Sequence, residues 1–475
     1  MNRRHLDRLT STDASFLQRE TDSAHMHIGG LLLFAGAAPK LEELLDHIRS
    51  RLHLVPRYRQ KLAFPPPGGG RPLWIDDPDF SLERHVHAVA LPAPGDDAQL
   101  LELAEQIASR PLDRRRPLWE LWLVGGLRPA APGTGERFAL IAKNHHALVD
   151  GVSGVDLATA LLELTPEPRR PAPADLRAWQ PQPPPDALEF LAAGARDGLR
   201  SAIGIVDATA RALTTPRHSA AALRDAGVGL CALLGELGSP APRTPLNVAI
   251  GPQRRLRVVR QQLGDYRTIK QAYEVTVNDI VLSVVAGAVG EWLRSRAVDT
   301  EGLELRALVP VSLRGADEHG TLGNRLALMR GPLPVGITDP VRRLRQVSES
   351  MGTLKRSNQA VGAATLAAMN DRLPPVVLAQ ASRLQFSPWL FNLLVTNIPG
   401  PQVPLYLRGR RLTELIPVAF LPEHHALAVA VMSYNGRIAY GLLGDQAALP
   451  DIDVIATGIE RSLQLLLLDG AAATS

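Results

Sequence analysis

The sequence of 475 residues predicts an α/β protein of two halves joined by a Pro-rich, helical linker. Three observations carry this. Strand-like and helix-periodic stretches alternate from Leu9 to about Thr165, and again from about Leu246 to the last residues. Composition shifts at Pro166, where repeated prolines run as far as Pro185. The length is too great for one ordinary core and divides into two or three compact units. The expected divisions are 1–165, 166–245 and 246–475.

In the first division, 27–34 is strand-like, and 41–54 sets Leu41, Leu44, Leu45, Ile48 and Leu52 at helical spacing with charges between them. The cations Arg57, Arg59 and Lys61 follow, readable as a solvated basic turn or as contacts for phosphate. Residues 65–70, three prolines and three glycines, form a turn-rich connector. Alternation over 79–87 and helical spacing over 98–110 come next, then 117–124, where Trp119 and its leucines suit a core strand. An apolar strand, 137–142, leads into Lys143-Asn144-His145-His146. Beyond it, 153–164 has helical spacing that Ser153 or a neighbour can cap.

Within the linker, apolar stripes over 188–213 and 223–237 recur at three- and four-residue steps. Such stripes cover a core or each other, or lie in a lipid interface. The last division opens with a strand at 256–263 and a helix at 266–273. Thr276 or Asn278 is suited to cap the apolar helix 280–293. Strands are expected at 305–314, 324–330 and 391–396, with a helix over 339–355. Arg408, Arg410 and Arg411 read as a solvated hairpin or a weak anion patch. Residues 427–434 and 437–442 make a hairpin around Asn435-Gly436, and 452–468 is the final helix.

Charge and cysteine content narrow the function. The formal charge of +4 comes without a long basic run, so nucleic-acid binding is not indicated. Cys231 stands alone, which precludes an intramolecular disulfide and fits a reducing cytosol. No apolar h-region follows Met1, and the longest apolar run, 280–289, falls short of the roughly 20 residues that span a bilayer. The expected location is cytoplasmic, with peripheral contact to the inner membrane or lipid droplets as an extension.

The chemistry concentrates at His145-His146, where a strand gives way to a glycine-punctuated turn. An imidazole titrates near neutrality, so His146 is suited to take the proton of a hydroxyl as its oxygen attacks an activated carbonyl. Asp150 can hold the turn or the ring, with Gly151 and Gly154 easing the backbone. A purely structural turn is the duller alternative. A metal site is another, though no HExxH spacing and no cysteine cluster accompany the pair. Thr396 and Asn397 stand at a strand end before Pro399-Gly400, where they can face a developing oxyanion or cap the turn.

His145-His146-x-x-x-Asp150-Gly151 resembles the HHxxxDG motif of CoA-dependent acyltransferases and condensation domains. Further blocks narrow the resemblance to the bacterial wax ester synthase/diacylglycerol acyltransferase family. They are Leu9-Thr10-Ser11-Thr12-Asp13-Ala14-Ser15-Phe16-Leu17, Pro117-Leu118-Trp119, Asn278-Asp279, Val309-Pro310-Val311-Ser312 with Gly323-Asn324, Asn397-Ile398-Pro399-Gly400 and Ser433-Tyr434-Asn435-Gly436, in the family's order.

The resemblance implies two chloramphenicol acetyltransferase-like subdomains with a channel between them. It implies His146 as general base, His145 shaping the site, Asp150 as structural support and Asn278 supporting the histidine or the channel. No metal or redox cofactor is implied. Acyl-CoA is the co-substrate, and diacylglycerol or a long-chain alcohol the acceptor, with triacylglycerol the preferred product over wax ester. Transfer to another lipid or polyketide-derived hydroxyl is an alternative, as is a catalytically weak lipid-droplet binding protein. One departure stands out: Glu423-His424-His425 replaces a glycine-rich stretch, which bears on acceptor or chain-length preference.

Overall fold

The computed structural model describes residues 7–65, 71–148, 157–168, 179–186, 189, 240–312, 326–356 and 386–474. Two six-stranded sheets dominate. The first contains, in spatial order, Tyr406–Leu407, Arg410–Val418, His27–Ala35, Arg137–His145, Trp119–Leu127 and Val86–Ala90. Its two central strands, His27–Ala35 and Arg137–His145, read as nearly continuous apolar runs because both faces are covered. Leu31, Leu33, Ala139 and Ile141 enter the large core shared with the second half. Leu32, Phe34, Phe138 and Leu140 face a separate core beneath the helix Leu41–Arg49.

The second sheet runs Leu326–Leu333, Leu305–Ser312, Leu393–Pro399, Leu427–Tyr434, Arg437–Asp445 and Arg254–Gln262. The helix Val277–Ser295 is buried continuously from Asp279 to Gly290, which explains its lack of a polar face. Thr276 is its N-cap. The Thr276 hydroxyl accepts from the Asp279 N–H at 3.2 Å, and the Asp279 carboxylate accepts from the Thr276 N–H at 2.9 Å. Among the described residues no single helix is long and apolar enough to cross a membrane. The helices Leu263–Tyr273 and Val277–Ser295 pass that test only together, across a 102° bend.

The halves are stitched together. Strand Arg410–Val418, from the second half of the sequence, pairs with His27–Ala35 and so joins the first sheet. Glycines permit this close approach: a Cβ on Gly30 would lie 2.7 Å from the Ile416 carbonyl oxygen, and one on Gly441 1.9 Å from that of Pro417. Helix Asp97–Ala108 forms a second seam, its Glu105 accepting from the Leu256 N–H at 2.8 Å and from Arg257 at 3.1 Å. Part of the Pro-rich linker is bound to the first half, with Trp179 edge-on to Phe80 and beneath the Arg59 guanidinium. The expected linker helices, with Cys231, lie outside the described residues.

Several element bounds differ from expectation, and two of the differences have a local cause. The helix expected over 41–54 is Leu41–Arg49, followed by 3-10 turns, because the Ser50 hydroxyl takes the His47 carbonyl at 2.8 Å and the Arg51 N–H falls back to that of Ile48 at 2.9 Å. Strand Arg410–Val418 extends well past the expected arginine hairpin, its alternation masked in the sequence by Glu414 and Pro417.

Candidate active site

The site begins with the motif strand Arg137–His145, held between His27–Ala35 and Trp119–Leu127. At its end the backbone turns on His145. The His145 N–H donates to the Leu118 carbonyl at 2.9 Å, the His146 N–H to that of Met26 at 2.8 Å, and the Leu148 N–H to that of His145 at 2.9 Å. The Ala147 N–H donates to His145 Nδ1 at 3.0 Å. With Nδ1 an acceptor, a neutral His145 carries its proton on Nε2. That nitrogen faces the Glu20 carboxylate at 3.6 Å.

Turning at His145 delivers the next ring to an aromatic pocket. His146 stacks on Phe16 with centroids 4.0 Å apart and meets Phe420 edge-on at 5.7 Å. Phe386 completes the cluster, 6.2 Å from Phe16 and 6.1 Å from Phe420. Nδ1 of His146 is buried without a hydrogen-bond partner among the described residues, while the residue keeps partial exposure. Burial pushes the imidazole down to about 4, and the neighbouring His145 pushes in the same direction. At neutral pH it is therefore the free base.

Beneath the turn lies a buried charge. Glu20, the C-cap of helix Ser11–Arg19, accepts from Arg114 Nε at 2.9 Å and from the same guanidinium's terminal nitrogen at 2.5 Å, with His27 Nε2 at 3.2 Å. Burial alone would raise its pKa; His145 and His27 outweigh that and hold the carboxyl well below the usual range. His27 is pushed down to about 3 by burial, against the pull of Glu20.

A narrow cleft adjoins these groups, walled by both halves of the sequence. His27, Lys143, Arg254 and Phe420 line it, so Phe420 is at once a wall of the cleft and a neighbour of His146. Its cations are committed to the scaffold. Lys143 Nζ donates to the carbonyls of Ile107 at 2.9 Å and Arg110 at 2.6 Å, capping the end of helix Asp97–Ala108. Arg254 donates to Gly251 at 2.6 Å and to Ser23 across the seam.

Of the expected site residues, His145 and His146 come together as described. Asp150, with Gly151, Ser153 and Gly154, lies outside the described residues, as do Gly323 and Asn324. Asn278 is half-buried in the first turn of its helix, where Thr276 and Asp279 do the capping. Thr396 and Asn397 are half-buried on strand Leu393–Pro399, opposite Ala430 and Val431. None of these three forms a hydrogen bond or ring contact with His145 or His146 among the described residues. Each cation of the basic turn has a local partner: Asp7 for Arg57, the Trp179 ring for Arg59, Asp77 for Lys61. Trp119 is a core residue, its indole N–H donating to the Tyr58 carbonyl at 2.8 Å and its ring stacked on His85. No group of three His, Cys, Asp or Glu side chains among the described residues is arranged to hold a metal.

Sequence reasoning missed Glu20 and His27. The available signal was ionisable residues at a helix end and a strand start, Glu20 just past Phe16-Leu17 and His25 and His27 alternating into an apolar strand.

Known proteins match the chain over nearly its whole length. Residues 9–281 match the wax ester synthase/diacylglycerol acyltransferase catalytic domain, and 322–467 match the WS/DGAT C-terminal domain. The Mycobacterium tuberculosis protein described as a probable diacylglycerol O-acyltransferase, tgs1, is 32% identical over 466 residues, covering 97% of this chain and 96% of its own. The solved wax ester synthase/diacylglycerol acyltransferase from Marinobacter aquaeolei VT8 superposes with a TM-score of 0.66 at 28% identity, over 98% of this chain and 100% of that one. The starter condensation domain of rhizomide synthetase shares the fold alone, with a TM-score of 0.57 at 13% identity, over 99% of this chain and 95% of its own. The architecture is thus the expected α/β one, with two chloramphenicol acetyltransferase-like subdomains. By both matched domains and by this full-length likeness, the chain belongs to the wax ester synthase/diacylglycerol acyltransferase family.

Proposed function

We propose that the chain transfers the acyl group of an acyl-CoA to the hydroxyl of diacylglycerol, forming triacylglycerol, and that long-chain alcohols are a second acceptor class, giving wax esters. One observation supports this above the others: a neutral imidazole stands at the end of the motif strand, sharing Phe420 with a cleft between the two halves.

His146 takes the proton of the acceptor hydroxyl as its oxygen attacks the thioester carbonyl carbon. The tetrahedral oxyanion then collapses, the carbon–sulfur bond breaks, and the CoA thiolate recovers the proton from the imidazolium. Ester and free CoA result, and the enzyme is unchanged. Burial that makes His146 a modest base makes its imidazolium a ready acid for the departing sulfur. His145 shapes the turn and Asp150 supports it. Thr396 and Asn397 are the candidate donors to the oxyanion, and Asn278 supports the channel. Acyl-CoA is a co-substrate, and no step uses a metal or redox cofactor. The chain works in the cytoplasm and meets its acceptor at the inner membrane or a lipid-droplet surface.

An acceptor panel with radiolabelled acyl-CoA tests the reading. Labelled triacylglycerol should form with added diacylglycerol, and wax ester with hexadecanol. Release of CoA that does not depend on either acceptor would overturn it.

A further inference from the structure

We propose that Glu20 is a positioning residue for His146, acting through the ring of His145. The inference rests on the catalytic reading above. Helix Ser11–Arg19 and its cap supply two supports to consecutive residues of the motif: Phe16 lies against the His146 ring at 4.0 Å, and Glu20 lies 3.6 Å from His145 Nε2. Four residues apart, Phe16 and Glu20 share one face of the helix end. One element therefore fixes both rings.

The link from charge to geometry is the His145 tautomer. The turn needs Nδ1 of His145 as an acceptor, because the Ala147 N–H points at it from 3.0 Å. An Nδ1–H tautomer would set donor against donor there and loosen the backbone immediately after His146. A carboxylate facing Nε2 favours the proton on that nitrogen and so keeps Nδ1 free. At 3.6 Å the contact is electrostatic and longer than a hydrogen bond.

Other groups keep that carboxylate in place. Arg114 holds it from the solvent side, and His27 Nε2, 3.2 Å away, approaches the other oxygen. His27 is paired directly with His145 across the two strands and lines the cleft. Glu20 thus touches the motif and the cleft wall while its side chain is only 9% exposed. Its effect falls on the placement of the base during the chemical step and leaves acyl-CoA binding alone.

The test combines kinetics with the ring tautomer. E20Q should lower kcat by about 10- to 100-fold with KM for acyl-CoA within about twofold, and E20D should recover part of the loss. In an H145N background, E20Q should change kcat less than about twofold, because the path through His145 is already cut. Nitrogen-15 NMR of histidine-labelled protein, with His145 assigned by its variant, should show the proton on Nε2 in the native chain and a shift towards Nδ1 in E20Q. An unchanged kcat in E20Q, a loss confined to KM, or an equal loss in the H145N background would overturn the proposal. An Nδ1–H tautomer in the native chain would overturn it even if every Glu20 variant failed to fold. Absence of acyl transfer by the native chain would instead reject the catalytic reading, leaving the tautomer measurement to judge Glu20.

Discussion

The chain contains two His-His pairs, and they contrast in how their ring nitrogens are partnered. His146 and His425 are both pushed down to about 4, in each case chiefly by burial. Both stack on a phenylalanine at 4.0 Å, Phe16 for the first and Phe391 for the second. Their nitrogens differ. The His425 ring is fully buried, with Nδ1 2.8 Å from the Glu423 carbonyl oxygen and Nε2 3.2 Å from that of Phe391. His146 keeps partial exposure and shares Phe420 with the cleft. A depressed pKa is thus common to both rings, and partnering separates them: both nitrogens of His425 lie against carbonyl oxygens, whereas His146 Nδ1 has no hydrogen-bond partner among the described residues. The bulk that Glu423-His424-His425 brings to this chain is accordingly divided, His425 filling core beside Phe391 and His424 facing solvent with φ of 63°.

The contrast breaks most sharply under substitution. H146A should reduce acyl transfer by about 100- to 10,000-fold, the usual worth of a positioned general base, while the H425A protein that folds keeps transfer within about threefold. Assays of both purified variants with the same acyl-CoA and diacylglycerol decide it, and comparable losses would erase the distinction. Stability should invert the order. H425A opens a cavity beside Phe391 and strands the carbonyl oxygen that its single N–H served, so denaturant unfolding should register a loss of about 2–4 kcal/mol, against under about 1 kcal/mol for H146A.

Acidification sharpens the comparison further. Below 6.5 an unfolded imidazole binds a proton, whereas folded His146 and His425 do not until about 4, and His27 until about 3. The unfolded state therefore binds more protons between these limits, and stability falls as pH drops from 6.5 towards 4. Thermal unfolding across that window should show the decline, shallower in H425A because one such group is gone. The smallest effect belongs to the seam between the halves. Asp97 pairs with Arg137 at 2.5 Å and Arg260 at 3.1 Å but is 41% exposed, so D97N should cost at most about 1 kcal/mol, less in high salt.

How much of this was legible in the sequence depended on whether the cause was local. The strand leading into His145 was readable because apolar residues run without interruption from Phe138 to Ala142. The final hairpin was readable because Asn435 and Gly436 tolerate the positive φ, 44° and 82°, that its turn demands. The cap of Val277–Ser295 was narrowed to Thr276 or Asn278, and the three-residue step to Asp279 decides for Thr276. What local pattern could not supply was pairing over distance. Strand Arg410–Val418 joins a sheet begun near the start of the chain, and Glu20 meets Arg114 and His145 only after folding. Periodicity marks which face is buried, and it carries no record of which buried polar groups will meet.

The most direct measurement is the pH dependence of kcat/KM for acyl-CoA with diacylglycerol saturating, taken over the range in which the enzyme stays folded. A neutral His146 base held down by burial gives a plateau through neutrality and an acid limb near pH 4, absent from the residual activity of H146A. An acid limb near 6.5, or one that persists unchanged in H146A, would contradict His146 as the group that takes the proton.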